Sequence, residues 1–124
     1  MRDQNIVPVA YCPLGRPSAS ENPGNQAADL KYTQIPDLRL DATIQEIAKR
    51  HDKSEFQILL RWGVQRGCAV IPKSSHPKHQ ADNLNLFAPG FELTKEEMIY
   101  ITNKNQNLRI CNKFDFIKNY DIFA

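Results

Sequence analysis

One segment near the middle of the chain combines the residue types that bind phosphate. Residues 71–77 read Ile-Pro-Lys-Ser-Ser-His-Pro, which places Lys73, Ser74 and Ser75 after a predicted strand and before a predicted helix. Unpaired N–H groups and the dipole at a helix N-terminus favour an anion. Lys73 adds a full charge, and the serine hydroxyls add donors. The segment is equally compatible with an ordinary turn, in which the serines cap the helix and Lys73 is solvated.

A second segment, Tyr11-Cys12-Pro13-Leu14-Gly15, follows the first predicted strand in the same way. Parallel α/β proteins bind ligands at the carboxyl ends of their strands. At such an edge Tyr11 would offer a flat aromatic face to a ligand. By itself the local sequence favours an ordinary core tyrosine.

Two short β-branched runs predict the strands that would position these residues. Residues 6–11 and 68–71 are typical of short strands buried on both faces. Helical patterns separate them, so the layout predicts a right-handed parallel βαβ unit. The chain from 15 to 37 is predicted to be a flexible loop, and residues 108–124 a docked C-terminal tail.

The first two helical patterns fill the connection between the strands. One begins near Asp41 and presents an apolar stripe made of Ile44, Ile47 and Ala48. The next begins with a capping box, in which Ser54 is the N-cap and Gln57 the third helical residue, and Gly67 ends it. Its predicted core residues are Phe56, Leu59, Leu60 and Val64.

Two further helices are predicted after the second strand. His76 and Pro77 suit the N-cap and first position of a helix that carries Ala81 and Leu84 inward and ends near Phe87. A second capping box runs from Thr94 to Glu97, followed by core residues Met98 and Ile101.

Composition restricts the class of protein. The 124 residues carry 16 basic and 14 acidic side chains, a net charge of +2 that is too small to indicate a nucleic-acid partner. Long apolar runs and an N-terminal secretory signal are lacking, so we expect no membrane partner. Cys12, Cys68 and Cys111 are odd in number and widely spaced, which predicts neither disulfides nor a metal site, so we expect a reducing, cytoplasmic setting.

Taken together, the motifs resemble the aldo-keto reductases, and most closely the aldose-reductase branch. The resemblance rests on residues 9–15, 71–74 and 108–111, with support from residues 47–51 and 57–62, in the family's order and rough spacing. It implies that residues 1–124 form one partial domain. That domain would be the C-terminal part of a (β/α)8 TIM barrel of the α/β class, with two parallel strands and their helices.

The same resemblance implies NADPH-dependent reduction of a small-molecule aldehyde or ketone. Tyr11 would stack on the nicotinamide, and Lys73 and Ser74 would hold the 2′-phosphate, with Ser75 close by. His79 stands where the family usually has an arginine that grips this phosphate. NADH is therefore also possible, because a neutral imidazole lacks the guanidinium charge.

The remaining implied roles concern the rest of the cofactor and the substrate. Leu14 would belong to the flap over the pyrophosphate, and Arg16 falls where the family often has a serine near the phosphates. Asp82 and Asn83 would contact the adenine. The substrate pocket would be lined by Leu108, Ile110 and Cys111.

The family's catalytic tyrosine, lysine, aspartate and histidine lie on earlier strands, so no catalytic residue is expected in this chain. Tyr32, Tyr100 and Tyr120 are interpreted as packing or surface residues. The alternative to a reductase segment is a non-catalytic module that binds nucleotide or protein. Its exposed strand edges would need a partner, either a second copy or another chain, such as the missing barrel half.

Overall fold

The computed structural model describes residues 6–15 and 37–107, and within these ranges it has two strands and four α-helices. The strands are β1 (Val9–Ala10) and β2 (Ala69–Val70). The helices are α1 (Ala42–His51), α2 (Glu55–Gln65), α3 (Pro77–Leu84) and α4 (Lys95–Asn103). Short 3-10 turns cover Leu38–Leu40 and Asn85–Phe87. The predicted loop, apart from its end residues, and the predicted tail lie outside the described residues.

The two strands pair in parallel, as the sequence predicted. Val9 is in register with Ala69 and Ala10 with Val70. Ala69 N donates to Pro8 O at 2.9 Å and Ile71 N to Ala10 O at 3.4 Å. The carboxyl ends of both strands therefore lie at the same edge.

Three predicted helix starts are confirmed, one from helical spacing near Asp41 and two from capping boxes at Ser54 and Thr94. The Asp41 side chain accepts hydrogen bonds from Thr43 N and Ile44 N at the start of α1. Capping boxes form at Ser54 for α2 and at Thr94 for α4. These bonds satisfy N–H groups that have no partner within the helix.

One contiguous apolar core forms where the helices meet. Its buried members are Ile44, Ile47, Ala48, Ile58, Leu60, Leu86, Phe91, Leu93 and Ile101. β2 joins the edge of this core through Val70. Gly63 allows the close approach of α2, because a Cβ there would lie 3.1 Å from Val70 Cγ1, which is tighter than ordinary packing.

The predicted burial of the strands on both faces is wrong for the described structure. Val9 is 57% exposed, and Ala69 is also exposed, whereas Ala10 and Val70 are half-buried. Helices cover one face of the strand pair. On the other face the described residues supply no second layer, so its apolar side chains meet solvent.

Three predicted core positions on the helices are also wrong. Phe56 is exposed and lies under the Arg39 guanidinium, 5.2 Å from its ring centroid, whereas Ile58 is fully buried. Ala81 is exposed and Leu84 is 82% exposed. After Leu84 the helix tightens into a 3-10 turn, and this change of period turns Leu86 into the core instead.

Candidate functional site

The edge at the carboxyl ends of β1 and β2 brings together the two segments singled out in the sequence. Tyr11 follows β1 directly, and Lys73 follows β2 after Ile71 and Pro72. Tyr11 is 55% exposed, so its ring is accessible to a ligand. The alternative of an ordinary buried core tyrosine is therefore wrong for the described structure.

The backbone between Tyr11 and Gly15 makes a tight turn. Cys12 has a φ of 46° and Gly15 a φ of 71°, and Gly15 N donates to Cys12 O at 2.9 Å. A left-handed conformation is uncommon for a residue other than glycine. The turn leaves Leu14 half-buried against the core, so the start of the predicted flap is anchored to the fold.

Ser74 organises the turn that leads into α3. Its Oγ accepts a hydrogen bond from His76 N at 3.1 Å, and its carbonyl accepts one from Gln80 Nε2 at 3.0 Å. Lys73 and Ser75 are exposed on either side, and Ser74 is half-buried. Ser74 therefore stabilises the turn, as a serine before a helix ordinarily does. Its hydrogen bonds leave Lys73 available at the surface.

The first turn of α3 is open in a way that suits an anion. His76 is the N-cap and Pro77 the first helical residue, as predicted, but the His76 side chain makes no capping hydrogen bond. Because the first N–H groups of a helix have no partner within it, those of Lys78 and His79 remain available. Among the described residues, no carboxylate forms an ion pair with Lys73 or Lys78.

Asp82 and Asn83 lie at the end of α3 nearest to α2, and both are half-buried. Gln57 Nε2 donates to Asp82 O at 3.1 Å, which fixes the helix at this point. A shallow groove of about 360 Å³ lies between α3 and the connection from α1 to α2, and Asp82 and Lys78 form part of its wall. Tyr11, Lys73, Ser75 and His79 do not line this groove, and all four are exposed.

A tyrosine, an aspartate and a lysine also meet on the helices, which the sequence did not predict. Tyr100 Oη donates to Asp41 Oδ1 at 3.0 Å, and Lys104 Nζ lies 2.7 Å from Asp41 Oδ2 and 4.7 Å from the Tyr100 ring centroid. The Lys104 hydrogen bond holds the pKa of Asp41 below its usual range, with further help from Ile44 N and Tyr100. These groups link the start of α1 to the end of α4.

Arg16, Leu108, Ile110 and Cys111 lie outside the described residues, and their predicted roles stay predictions. Within residues 6–15 and 37–107, no group of three or more metal-ligating side chains comes together. In the same ranges, no helix is long and apolar enough to cross a membrane.

Comparison with known proteins decides the family. The sequence profile described as the aldo/keto reductase family matches residues 1–106. This chain belongs to the aldo/keto reductase family. The resemblance identified from the sequence motifs is therefore confirmed.

Individual relatives of this chain are named as sugar and aldose reductases. A probable NAD(P)H-dependent D-xylose reductase of Arthroderma otae is 42% identical over 99% of this chain and 36% of its own length. Aldose reductase B of Dictyostelium discoideum is 34% identical over 91% of this chain and 30% of its own length. An NADH-dependent D-xylose reductase of Candida parapsilosis is 41% identical over 77% of this chain and 29% of its own length.

The chain thus spans about a third of the length of the curated relatives it matches. The family implies a (β/α)8 barrel, which takes about 250 residues. Two parallel strands with flanking helices are consistent with a part of such a barrel.

Proposed function

We propose that this chain supplies the cofactor-binding part of an NADPH-dependent reductase that converts small-molecule aldehydes or ketones to alcohols. Membership of the aldo/keto reductase family supports carbonyl reduction. The observation that carries the cofactor assignment is the parallel pairing of β1 and β2, since it sets Tyr11 and Lys73 at one edge. Reduced nicotinamide, when bound, supplies the hydride that reduces the carbonyl carbon.

Each of these residues has a distinct proposed role. The exposed ring of Tyr11 stacks on the nicotinamide and fixes the face that it presents. Lys73, Ser74 and the open N–H groups of α3 hold the 2′-phosphate, which is the group that distinguishes NADPH from NADH. Asp82 and Asn83 border the adenine.

The choice between NADPH and NADH rests on few residues. Two of the relatives, 42% and 41% identical to this chain, carry names that specify NAD(P)H in one case and NADH in the other. Two relatives that are about equally identical to this chain therefore have names that specify different cofactors. We propose that NADPH is preferred here because Lys73 is exposed and has no carboxylate partner among the described residues.

Replacing Lys73 tests the 2′-phosphate assignment. In Lys73→Ala we expect the Kd for NADPH to rise about tenfold or more, because a charge-assisted contact is lost, while the Kd for NADH changes less than about twofold. Nucleotide fluorescence during titration measures both constants. Lys95→Ala, which removes an exposed lysine at the start of α4, is the matched control. Equal weakening of both nucleotides in Lys73→Ala would contradict the assignment.

A second candidate function is a non-catalytic module that binds a nucleotide or another protein. The exposed apolar face of the strand pair favours it, since such a face suits contact with a partner. Titration with both nucleotides separates the candidates, because a chain that binds neither NADPH nor NADH supports a protein-interaction module. Absorbance at the NADPH band with D-xylose or a reactive aldehyde adds a second readout. We expect no turnover by the 124-residue chain, and robust turnover would show that it holds its own proton donor.

A further inference from the structure

Two histidines lie against each other on the first turn of α3. His76 is the N-cap and His79 the third helical residue, so their side chains fall on the same face. Their ring centroids are 4.8 Å apart and the ring planes are inclined by 34°. Both side chains are exposed. We call these two residues the histidine pair.

Neither imidazole is committed to another partner in the described part of the chain. His76 donates its backbone N–H to Ser74 Oγ, and its ring takes no part in that hydrogen bond. No carboxylate among residues 6–15 and 37–107 pairs with either ring. Both rings are therefore available to a ligand at the start of α3.

The charged surroundings of the histidine pair are mainly basic. Lys73 precedes the helix, and Lys78 and Asp82 lie on the helix itself. Lys78 and Asp82 also line the groove beside α3, whose opposite wall carries Lys49, Asp52 and Lys53.

Protonation would change what the histidine pair can bind. An imidazolium donates from both ring nitrogens, whereas the neutral ring donates from one only. Two imidazolium rings this close repel each other, and a phosphate dianion in contact with both removes that repulsion. Binding of a dianion is therefore coupled to uptake of protons by the pair.

We propose that His76 and His79 form a proton-dependent clamp for the 2′-phosphate of NADPH, so that the preference for NADPH over NADH strengthens as the pH falls. This inference rests on the proposed cofactor site and adds its regulation. An arginine at position 79, the usual residue by family resemblance, would be charged at every physiological pH. Histidine instead makes the charge at this corner depend on the proton concentration.

Two nucleotide fragments that differ only in the 2′-phosphate test the clamp without the nicotinamide half. Adenosine 2′,5′-bisphosphate and adenosine 5′-monophosphate are titrated into the full 124-residue chain at pH 8.5 and pH 6.5. At both pH values the phosphate groups are mainly dianions, because the second ionisation of a phosphate has a pKa near 6. We expect the ratio of the two affinities to increase about tenfold between these pH values, as one to two charge-assisted hydrogen bonds are gained. Proton NMR of the ring signals should show His76 and His79 shifting with the bisphosphate. His51, held by Glu97, should shift much less.

Variants of the histidine pair give the decisive comparison. His79→Arg should raise the affinity ratio at pH 8.5 and flatten its pH dependence, and the double variant His76→Gln/His79→Gln should keep the low ratio at both pH values. Lys95→Gln controls for a general loss of positive charge and should leave the pH dependence intact. A bisphosphate preference that does not vary with pH would overturn the clamp and leave the cofactor site standing. No preference for the bisphosphate at either pH would overturn the 2′-phosphate site, and the clamp with it.

Discussion

Arg61 connects several parts of the chain through one largely enclosed side chain. Its Nη1 donates to Leu86 O at 2.8 Å and its Nε to Gln65 Oε1 at 3.2 Å. The guanidinium also lies 5.7 Å from the Phe91 ring centroid. Buried polar groups of this kind stabilise a fold only while all partners are satisfied.

Replacing Arg61 should therefore be costly. In Arg61→Met the Leu86 carbonyl loses its donor in a buried setting, and we expect the free energy of unfolding to fall by about 1–3 kcal/mol. Urea unfolding followed by circular dichroism measures the change. Lys49→Met, which alters an exposed cation on α1, serves as the control and should shift stability by less than about 0.5 kcal/mol. An unchanged urea midpoint in Arg61→Met would contradict this role.

The sequence predicted which residues follow the strands, but it did not predict the contacts that these residues make. Lys73 and Ser74 were identified because a lysine and a hydroxyl before a helix have a known chemistry. The contact between the His76 and His79 rings depends on side-chain rotamers at a helix start. A sequence pattern does not specify these rotamers.

At the scale of elements, Glu97 ties the start of α4 to the end of α1. It is 5% exposed, and its Oε2 accepts from Thr94 N at 2.9 Å and lies 2.9 Å from His51 Nε2. Arg50 Nη2 is 3.3 Å from Oε1. Burial by itself would raise the pKa of Glu97, but the hydrogen bonds from His51 and Thr94 and the charges of His51 and Arg50 hold that pKa below its ordinary range.

Because the pKa of Glu97 is lower in the folded chain, its ionised form stabilises the fold. This contribution is complete above the pKa of an unfolded glutamate, near 4.3, and is lost as the pH falls through the lower folded value. Asp37, held by Arg39, and Asp41, held by Lys104, have lowered pKa values and act in the same direction. We expect the free energy of unfolding to decrease from about pH 5 downwards, as measured by urea unfolding at a series of pH values.

Replacing Glu97 should reduce this acid sensitivity. Glu97→Gln keeps an oxygen that accepts from Thr94 N but loses the charge, so we expect a loss of about 1–3 kcal/mol at pH 7 and a flatter dependence on pH below 5. Glu96→Gln is the matched control, because Glu96 is the exposed neighbour on the same first turn. If the two variants showed the same pH profile, the role given to Glu97 would be wrong.

Helix starts were predicted well and helix faces less well, for a physical reason. Capping at Asp41, Ser54 and Thr94 depends on residues within three positions of each other. The inward position of Leu86 depends on where α3 changes into a 3-10 turn. A pattern with a constant helical period cannot reveal that change.

For the whole molecule, the main feature is an apolar strand face that the described residues leave uncovered. Its exposed side chains are Val9 and Ile71, with Val7 just before β1. The relatives are about three times as long as this chain, and in a (β/α)8 barrel of the kind the family implies, such a face packs against the other strands. We infer that the helical side of the strand pair carries the stability of the isolated chain.

Paired substitutions on the two sides test this inference. Val9→Thr should change the free energy of unfolding by less than about 0.5 kcal/mol, because that side chain is already largely in water, and should lower the binding of a hydrophobic dye. Ile58→Ala, which removes fully buried atoms from α2, should cost about 2–5 kcal/mol. Both are measured by urea unfolding. A cost in Val9→Thr comparable to that in Ile58→Ala would show that the strand face is covered in solution.

The sequence by itself determined the family, the order of strands and helices, and the residues at the carboxyl ends of the strands. These features depend on residue type and short-range spacing, which are present in the chain before it folds. Only the tertiary structure decided that Tyr11 is exposed, that Ile58 and Leu86 are core residues, and that Glu97, His51 and Arg50 meet. Burial and pairing of this kind require segments that are distant in sequence to pack, so they depend on the geometry of the whole fold.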